Sequence, residues 1–165
     1  MISLKELIHN RYIIYCDMDS VLVDFDRGYK KLTGYLPNDY EKIYGADKFW
    51  EPINDMGASF WANLKWMSDG RLLWYSIKKQ KPYILTTPSK NPSSRIGKLE
   101  WIEKNIPSLN SSMVIFSSSK YKYAGPNKIL IDDRPSNINP WIAAGGIGIL
   151  HTSTQATLEE LKKFI

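Results

Sequence analysis

Three places in this chain put side chains suited to phosphate chemistry directly after short apolar runs. Asp17 and Asp19, with Met18 between them and Ser20 and Val21 after, follow residues 12–16 (Tyr-Ile-Ile-Tyr-Cys). Thr86 and Thr87 follow a second run, and Asp132 and Asp133 a third. A basic stretch, Lys120 to Lys128, lies just before the third. Phosphoryl transfer needs an in-line nucleophile, neutralisation of charge, and a proton for the departing oxygen. Carboxylates, hydroxyls and lysines can supply all three if the fold brings them together.

The elements that must do so are legible in the pattern. Residues 12–16 read as a buried strand, and 82–86, 113–116, 128–131 and 147–150 as four more. Helices are expected over 21–33 with Gly34 as its stop, over 71–79 with Asp69 as cap, and over 95–105 capped by Ser93 or Ser94. Others are expected over 139–144 and over 157–164, the last opened by a Thr157/Glu160 capping box. Ser3 and Glu6 form a similar box for a short N-terminal helix. Strands alternating with helices of about 10 residues imply parallel βαβ units, an α/β fold with a central parallel sheet. In such sheets ligands bind beyond the carboxyl ends of the strands, which is where the polar residues stand. Residues 1–34 and 71–165 therefore read as a core domain, and 35–70, rich in aromatics, Asn, Asp and Gly, as a small inserted subdomain.

Composition narrows the class. With 165 residues, 43% hydrophobic and 24% charged, the chain is expected to form one globular domain with a modest insertion. The single cysteine, Cys16, excludes an internal disulfide and fits a reducing, cytoplasmic setting. No apolar run is long enough to span a membrane, and residues 1–10 do not resemble a signal peptide. The net charge is +5, but it is uneven. Residues 1–75 carry 9 basic and 11 acidic side chains, 76–132 carry 10 and 3, and 133–165 balance at 3 and 3. A basic middle segment fits a polyanion-binding face, a phosphate pocket or a solvated surface equally well.

The ordered motifs resemble those of the haloacid dehalogenase-like (HAD) phosphohydrolases. Their first motif is an apolar strand followed by D-x-D-x-[VT], here Asp17, Asp19 and Val21. A strand ending in Thr or Ser follows, here Thr86, then a lysine, then an acidic pair, here Asp132-Asp133. Within that superfamily the residues 17–25 (Asp-Met-Asp-Ser-Val-Leu-Val-Asp-Phe) are similar to the first motif of 5'(3')-deoxyribonucleotidases, which usually have Gly where this chain has Ser20. Thr86-Thr87-Pro88, Lys98 ahead of Trp101-Ile102-Glu103-Lys104, and Ile131-Asp132-Asp133-Arg134-Pro135 are similar to further stretches of that family. Gly permits backbone angles that Ser resists, so the turn after Asp19 is where the chain departs from the family.

The resemblance implies a HAD core with a mainly helical cap over 35–70. It also implies Mg²⁺-dependent hydrolysis of phosphomonoesters through an aspartyl phosphate, with nucleoside monophosphates, deoxyribonucleotides above all, as substrates. Asp17 is then the nucleophile and Asp19 the general acid and base. Thr86 binds the phosphoryl group with Thr87 beside it, and Lys122 adds positive charge, with Lys120 competing for that role. Lys98 is a second phosphate-binding candidate. Asp17, the Asp19 carbonyl and Asp133 are the implied metal ligands. The residue pattern alone allows Asp132 as readily as Asp133.

Of the 21 aromatic residues, 12 lie between Phe25 and Tyr75. They serve either as core or as a wall for the substrate's leaving group, and Phe25, Phe49, Trp50, Phe60 and Trp61 are the candidates for stacking on a nucleobase. The expected partner is a small phosphorylated molecule, and a homodimer is compatible with the sequence. Two other readings keep part of the pattern. One is a phosphatase for sugar phosphates or nucleic-acid 3'-phosphate ends. The other is a non-catalytic nucleic-acid-binding module using the basic segment, against which stand the acidic strand ends and the lack of a recognisable nucleic-acid-binding motif.

Overall fold

Strand β1 (Ile13–Cys16) lies at the centre of a five-stranded sheet in a computed structural model that describes residues 12–165. Its neighbours are β2 (Tyr83–Thr86) and β4 (Lys128–Asp132). The edges are β3 (Val114–Phe116) and β5 (Ile147–Leu150), and every pairing is parallel in the order β3-β2-β1-β4-β5. The three inner strands are short apolar runs because both of their faces are covered. Ile14, Cys16, Ile84, Ile129 and Ile131 face one core with Leu73, Ile77 and Trp101, while Tyr15, Leu85 and Leu130 face another with Ile138 and Trp141. Cys16 is fully buried, and burial pushes its thiol pKa up.

Among the described residues every α-helix but one has nine residues or fewer. First come α1 (Phe25–Thr33), four short helices α2 (Pro37–Tyr44), α3 (Ala46–Phe49), α4 (Glu51–Met56) and α5 (Ala58–Ala62), then α6 (Gly70–Ile77). The long one, α7 (Ser93–Asn105), links β2 to β3. A 3-10 turn (Lys120–Tyr123) precedes β4, and α8 (Pro135–Ala143) and α9 (Thr154–Leu161) flank β5. Among the described residues no helix is long and apolar enough to cross a membrane.

Several boundaries differ from the sequence reading for local reasons. The helix expected from residue 21 begins at Phe25, because residues 18–23 fold into a turn in which the Met18 carbonyl accepts from Leu22 N and Val23 N, both at 2.9 Å. Asp24 then caps α1, its Oδ1 accepting from Arg27 N at 3.0 Å. Gly34 ends α1 in the left-handed region at φ 84°, as expected. Asp69 precedes α6 without capping it, since its carboxylate accepts from Thr154 N at 2.7 Å. The last helix begins three residues early, capped by Ser153, and Thr157 instead bonds His151 at 2.7 Å. Ser94 does not cap α7 but is buried within it. The Ser3/Glu6 box lies outside the described residues.

Segment 35–70 has two parts. Its helices α2 to α5 occupy residues 37–62, and residues 63–69 run back along the first turn: Asp24 N donates to Lys65 O at 2.8 Å and Met67 N to Leu22 O at 2.8 Å. The helices are seated on the core by one close crossing. A Cβ at Gly97, in α7, would lie 2.2 Å from the Ala58 carbonyl oxygen and 2.6 Å from the Trp61 Cβ, so the α5 and α7 backbones touch there. In an open helix interior Gly97→Ala would stabilise by about 1 kcal/mol. Here the added methyl must push α5 off α7, and we expect a net loss of about 2 kcal/mol, read as a lower urea midpoint.

Candidate active site

The three polar strand ends meet at the carboxyl edge of the sheet. Asp17 continues β1, its N–H donating to the Ile131 carbonyl at 2.9 Å, and Asp132 is the last residue of the adjacent β4. One oxygen each of Asp17, Asp132 and Asp133 lies within 4.8 Å of the others. Carboxylates this close repel strongly where water is scarce, and the fold answers with a lysine. Lys120, 2% exposed, lies with its Nζ 2.8 Å from Asp17 Oδ1 and donates to Asp132 Oδ2 at 2.6 Å. Burial alone would lower its pKa, but the Asp17 and Asp132 charges outweigh it and hold it above the ordinary lysine value.

This corrects the expectation at Lys122. That side chain is exposed and does not line the cleft, and Lys120 holds the central place. The reason is the 3-10 turn. At 3.0 residues per turn a residue two places on points about 240° away, so only one of the two lysines can face the carboxylates.

The acidic pair divides its work. Asp132 is fully buried and saturated: it accepts from Lys120, from Arg134 N at 2.9 Å and from Asn137 Nδ2 at 3.1 and 3.0 Å. Asp133 is only partly buried and lines the cleft, yet its Oδ1 is enclosed with no partner among the described residues. Burial first, then the Asp17 and Asp132 charges, push the Asp133 pKa up to about 7. A buried oxygen without a donor next to two more carboxylates fits a hard divalent cation, which takes oxygen ligands and cancels the repulsion. Asn137 was not singled out in the sequence. The signal was there in Pro135, which opens α8 and sets Asn137 two residues further along its first turn, where a side chain can reach back to the strand end.

On the other side of Asp17 a second buried lysine meets the first turn. Lys98 Nζ, with the residue 1% exposed, donates to Asp19 Oδ2 at 2.6 Å, Thr86 Oγ1 at 2.7 Å and the Thr87 carbonyl at 3.1 Å. All three ammonium protons are used. Lys98 falls on the buried face of α7 with Ser94, Trp101 and Ile102. That spacing of four, seven and eight residues was the available signal that it points inward. Among the described residues Asp19 Oδ1 is buried without a partner, and Asp19 also lines the cleft. Thr86 is fully buried, whereas Thr87 is exposed and donates to the Ser117 carbonyl at 3.1 Å. Ser20 takes φ 63°, the left-handed angle that Gly adopts freely, so the turn is made at a small backbone cost.

The cleft above these groups has a volume of about 760 Å³. Phe25, Phe49, Trp50 and Trp61 line it, facing Asp26, Arg134 and Asn137 among others. Phe60 does not. It is buried against Phe25 at 5.7 Å, edge to face, and against Gly28, because on a helix of five residues it points to the core while its neighbour Trp61 points to the cleft.

The charge arrangement has a measurable consequence. Asp133 must lose its proton to bind a cation. Its raised pKa means that the folded chain without metal favours the protonated form, losing stability as pH rises through about 7. Added Mg²⁺ should therefore raise the melting temperature at pH 8 and leave it nearly unchanged at pH 5, and Asp133→Asn should abolish the shift at pH 8 in a thermal-melt series.

No family model matches the chain. A protein of Vibrio phage KVP40 named "Putative 5'(3')-deoxyribonucleotidase" is 33% identical over 127 residues, covering 76% of this chain and 68% of that protein. Among solved structures, a haloacid dehalogenase-like family hydrolase from Xanthomonas campestris superposes with a TM-score of 0.63 at 13% identity, covering 93% of this chain and 91% of that one. A hydrolase from Streptococcus pneumoniae superposes at 0.56 with 20% identity, covering 92% and 99%. The structural likenesses show that the fold is that of haloacid dehalogenase-like hydrolases, and the sequence likeness carries the family: the chain belongs to the 5'(3')-deoxyribonucleotidase family.

Proposed function

We propose that this protein is a Mg²⁺-dependent phosphomonoesterase that hydrolyses nucleoside monophosphates, deoxyribonucleotides in particular. The observation that supports it most is that Asp17, Asp19 and Asp133 line one aromatic-walled cleft while Asp19 Oδ1 and Asp133 Oδ1 remain unpartnered. A cleft of about 760 Å³ falls in the range of small-molecule sites. The name of the phage relative points to the same substrate class.

In this reading Asp17 attacks phosphorus and forms an aspartyl phosphate as the bond to the leaving oxygen breaks. Asp19, through Oδ1, gives its proton to that oxygen. Asp19 then takes a proton from the water that attacks the aspartyl phosphate, releasing inorganic phosphate and freeing Asp17. Asp17, Asp133 and the Asp19 carbonyl would hold Mg²⁺, which supplies charge neutralisation at the phosphoryl oxygens. Asp132, already saturated, keeps Lys120 beside Asp17. Lys98, its three protons taken by Asp19, Thr86 and the Thr87 carbonyl, orients Asp19 from the other side. Helices α2 to α5 act as the cap, and Phe25, Phe49 and Trp50 receive the nucleobase.

Phosphate release from a panel of ribo- and deoxyribonucleotides, sugar phosphates and 3'-phosphorylated oligonucleotides, with and without Mg²⁺, tests this. Release from deoxyribonucleoside monophosphates should dominate, stop on chelation and vanish in Asp17→Asn. Preferential release from sugar phosphates or oligonucleotide ends would reassign the substrate, and no release from any compound would overturn the reading. The two lysines give a further contrast. Lys120→Ala should lower kcat by about 100-fold or more, whereas Lys122→Ala should stay within about twofold of the wild type.

A further inference from the structure

Trp61 does more than face the cleft. It is 2% exposed, and the Lys98 ammonium lies 5.1 Å from its ring centroid. The three hydrogen-bond directions of that ammonium are taken by Asp19, Thr86 and the Thr87 carbonyl, so the indole covers a further approach to the cation. The residue before Lys98 is Gly97, whose missing side chain lets the Trp61 Cβ come within 2.6 Å of where a Gly97 Cβ would lie. The crossing that seats α5 on α7 therefore sets the ring and the lysine together. The other neighbours of the ring tie it to two more segments. Phe25, in the first turn of α1 and just past the Asp17–Asp19 turn, lies 5.7 Å away at 35°, and Trp50 lies 6.5 Å away at 24°. The Trp61 Nε1 is buried with no hydrogen-bond partner among the described residues. Packing, not a polar contact from its indole N–H, holds the residue in place.

We propose that Trp61 is a positioning residue for the Lys98–Asp19 pair: its indole face keeps the Lys98 ammonium on Asp19 and Thr86 and excludes water from it, so that the seating of α5 governs the geometry of the proton-transferring carboxylate. A cation held against an aromatic face in a dehydrated setting is attracted by the ring quadrupole, and a phenyl ring retains that face whereas an aliphatic side chain does not. Phe at position 61 therefore preserves the effect and Leu removes it. A residue that served only as a platform for the substrate's base would behave differently, because its loss would weaken binding and leave the bound substrate reacting at its normal rate.

The kinetic arm of the test rests on the phosphatase reading, and the spectroscopic arm does not. With Mg²⁺ and a deoxyribonucleoside monophosphate, Trp61→Leu should lower kcat by about tenfold with KM within about twofold. Trp61→Phe should recover kcat to within about threefold of the wild type. A raised KM at unchanged kcat, or a Phe variant as slow as the Leu variant, overturns the proposal. Independently, in ¹⁵N-lysine-labelled wild-type protein the Lys98 ammonium protons, assigned by their loss in Lys98→Arg, should be protected from water and shifted upfield by the indole ring current. The shift should shrink in Trp61→Phe, which conserves most of the packing should Trp61→Leu fail to fold. A Lys98 signal at the shift of exposed lysines, or one unchanged in Trp61→Phe, overturns the proposal whether or not the protein releases phosphate.

Discussion

Repulsion among four carboxylates at one sheet edge is the constraint on which the rest of this structure turns. Asp17, Asp132 and Asp133 come from adjacent parallel strands, and Asp19 lies one turn away. Such a group is tolerable in a partly dehydrated place only if cations are brought to it. Two buried lysines do this from opposite sides, Lys120 from the 3-10 turn before β4 and Lys98 from α7 after β2. Lys120 anchors Asp17 and Asp132 and Lys98 anchors Asp19, and each lysine is buried deeply enough that losing its acidic partner or partners would leave it an uncompensated charge. Charge and fold are therefore mutually dependent.

The two lysines leave a pattern that chemistry can use. Asp132 is saturated and becomes part of the scaffold, while Asp133 and Asp19 keep one buried oxygen each unpartnered. Adjacent residues of one acidic pair thus take different parts, one holding Lys120 and the other open towards a cation. The division comes from Asn137 and the Arg134 N–H, which fill the Asp132 lone pairs as α8 begins.

The insertion after α1 solves a second problem, how four helices of four to eight residues can be held in place when none could be stable alone. Residues 63–69 bond back to the first turn, Trp101 Nε1 donates to the Leu64 carbonyl at 2.9 Å, and Gly97 allows α5 to lie against α7. The aromatics divide accordingly. Phe60 fills the space under α1, while Phe25, Phe49, Trp50 and Trp61 form the wall of the cleft. The net charge of +5 takes on a local meaning as well. Two of the ten basic residues between 76 and 132 are buried against carboxylates, and their charge is spent there.

By itself the sequence determined the alternation of short apolar runs and helices, hence the parallel sheet, and it determined that Asp17, Asp19, Thr86, Asp132 and Asp133 stand at strand ends. Those features follow from periodicity and from neighbours in the chain, which a linear pattern records. Tertiary structure alone decided which of two lysines faces the carboxylates, because Lys120 and Lys122 differ in pattern by nothing but the direction a 3-10 turn gives them. It decided that Asp132 is saturated and Asp133 open, because the difference comes from Asn137 folding back. It turned Phe60 inward and Trp61 to the cleft, because helix direction on a five-residue segment is set by what it packs against. It also decided what Lys98 holds, since only the approach of α7 to the first turn brings the ammonium to Asp19. Each of these depends on where a distant segment comes to rest, and charge repulsion and close packing determine that in three dimensions.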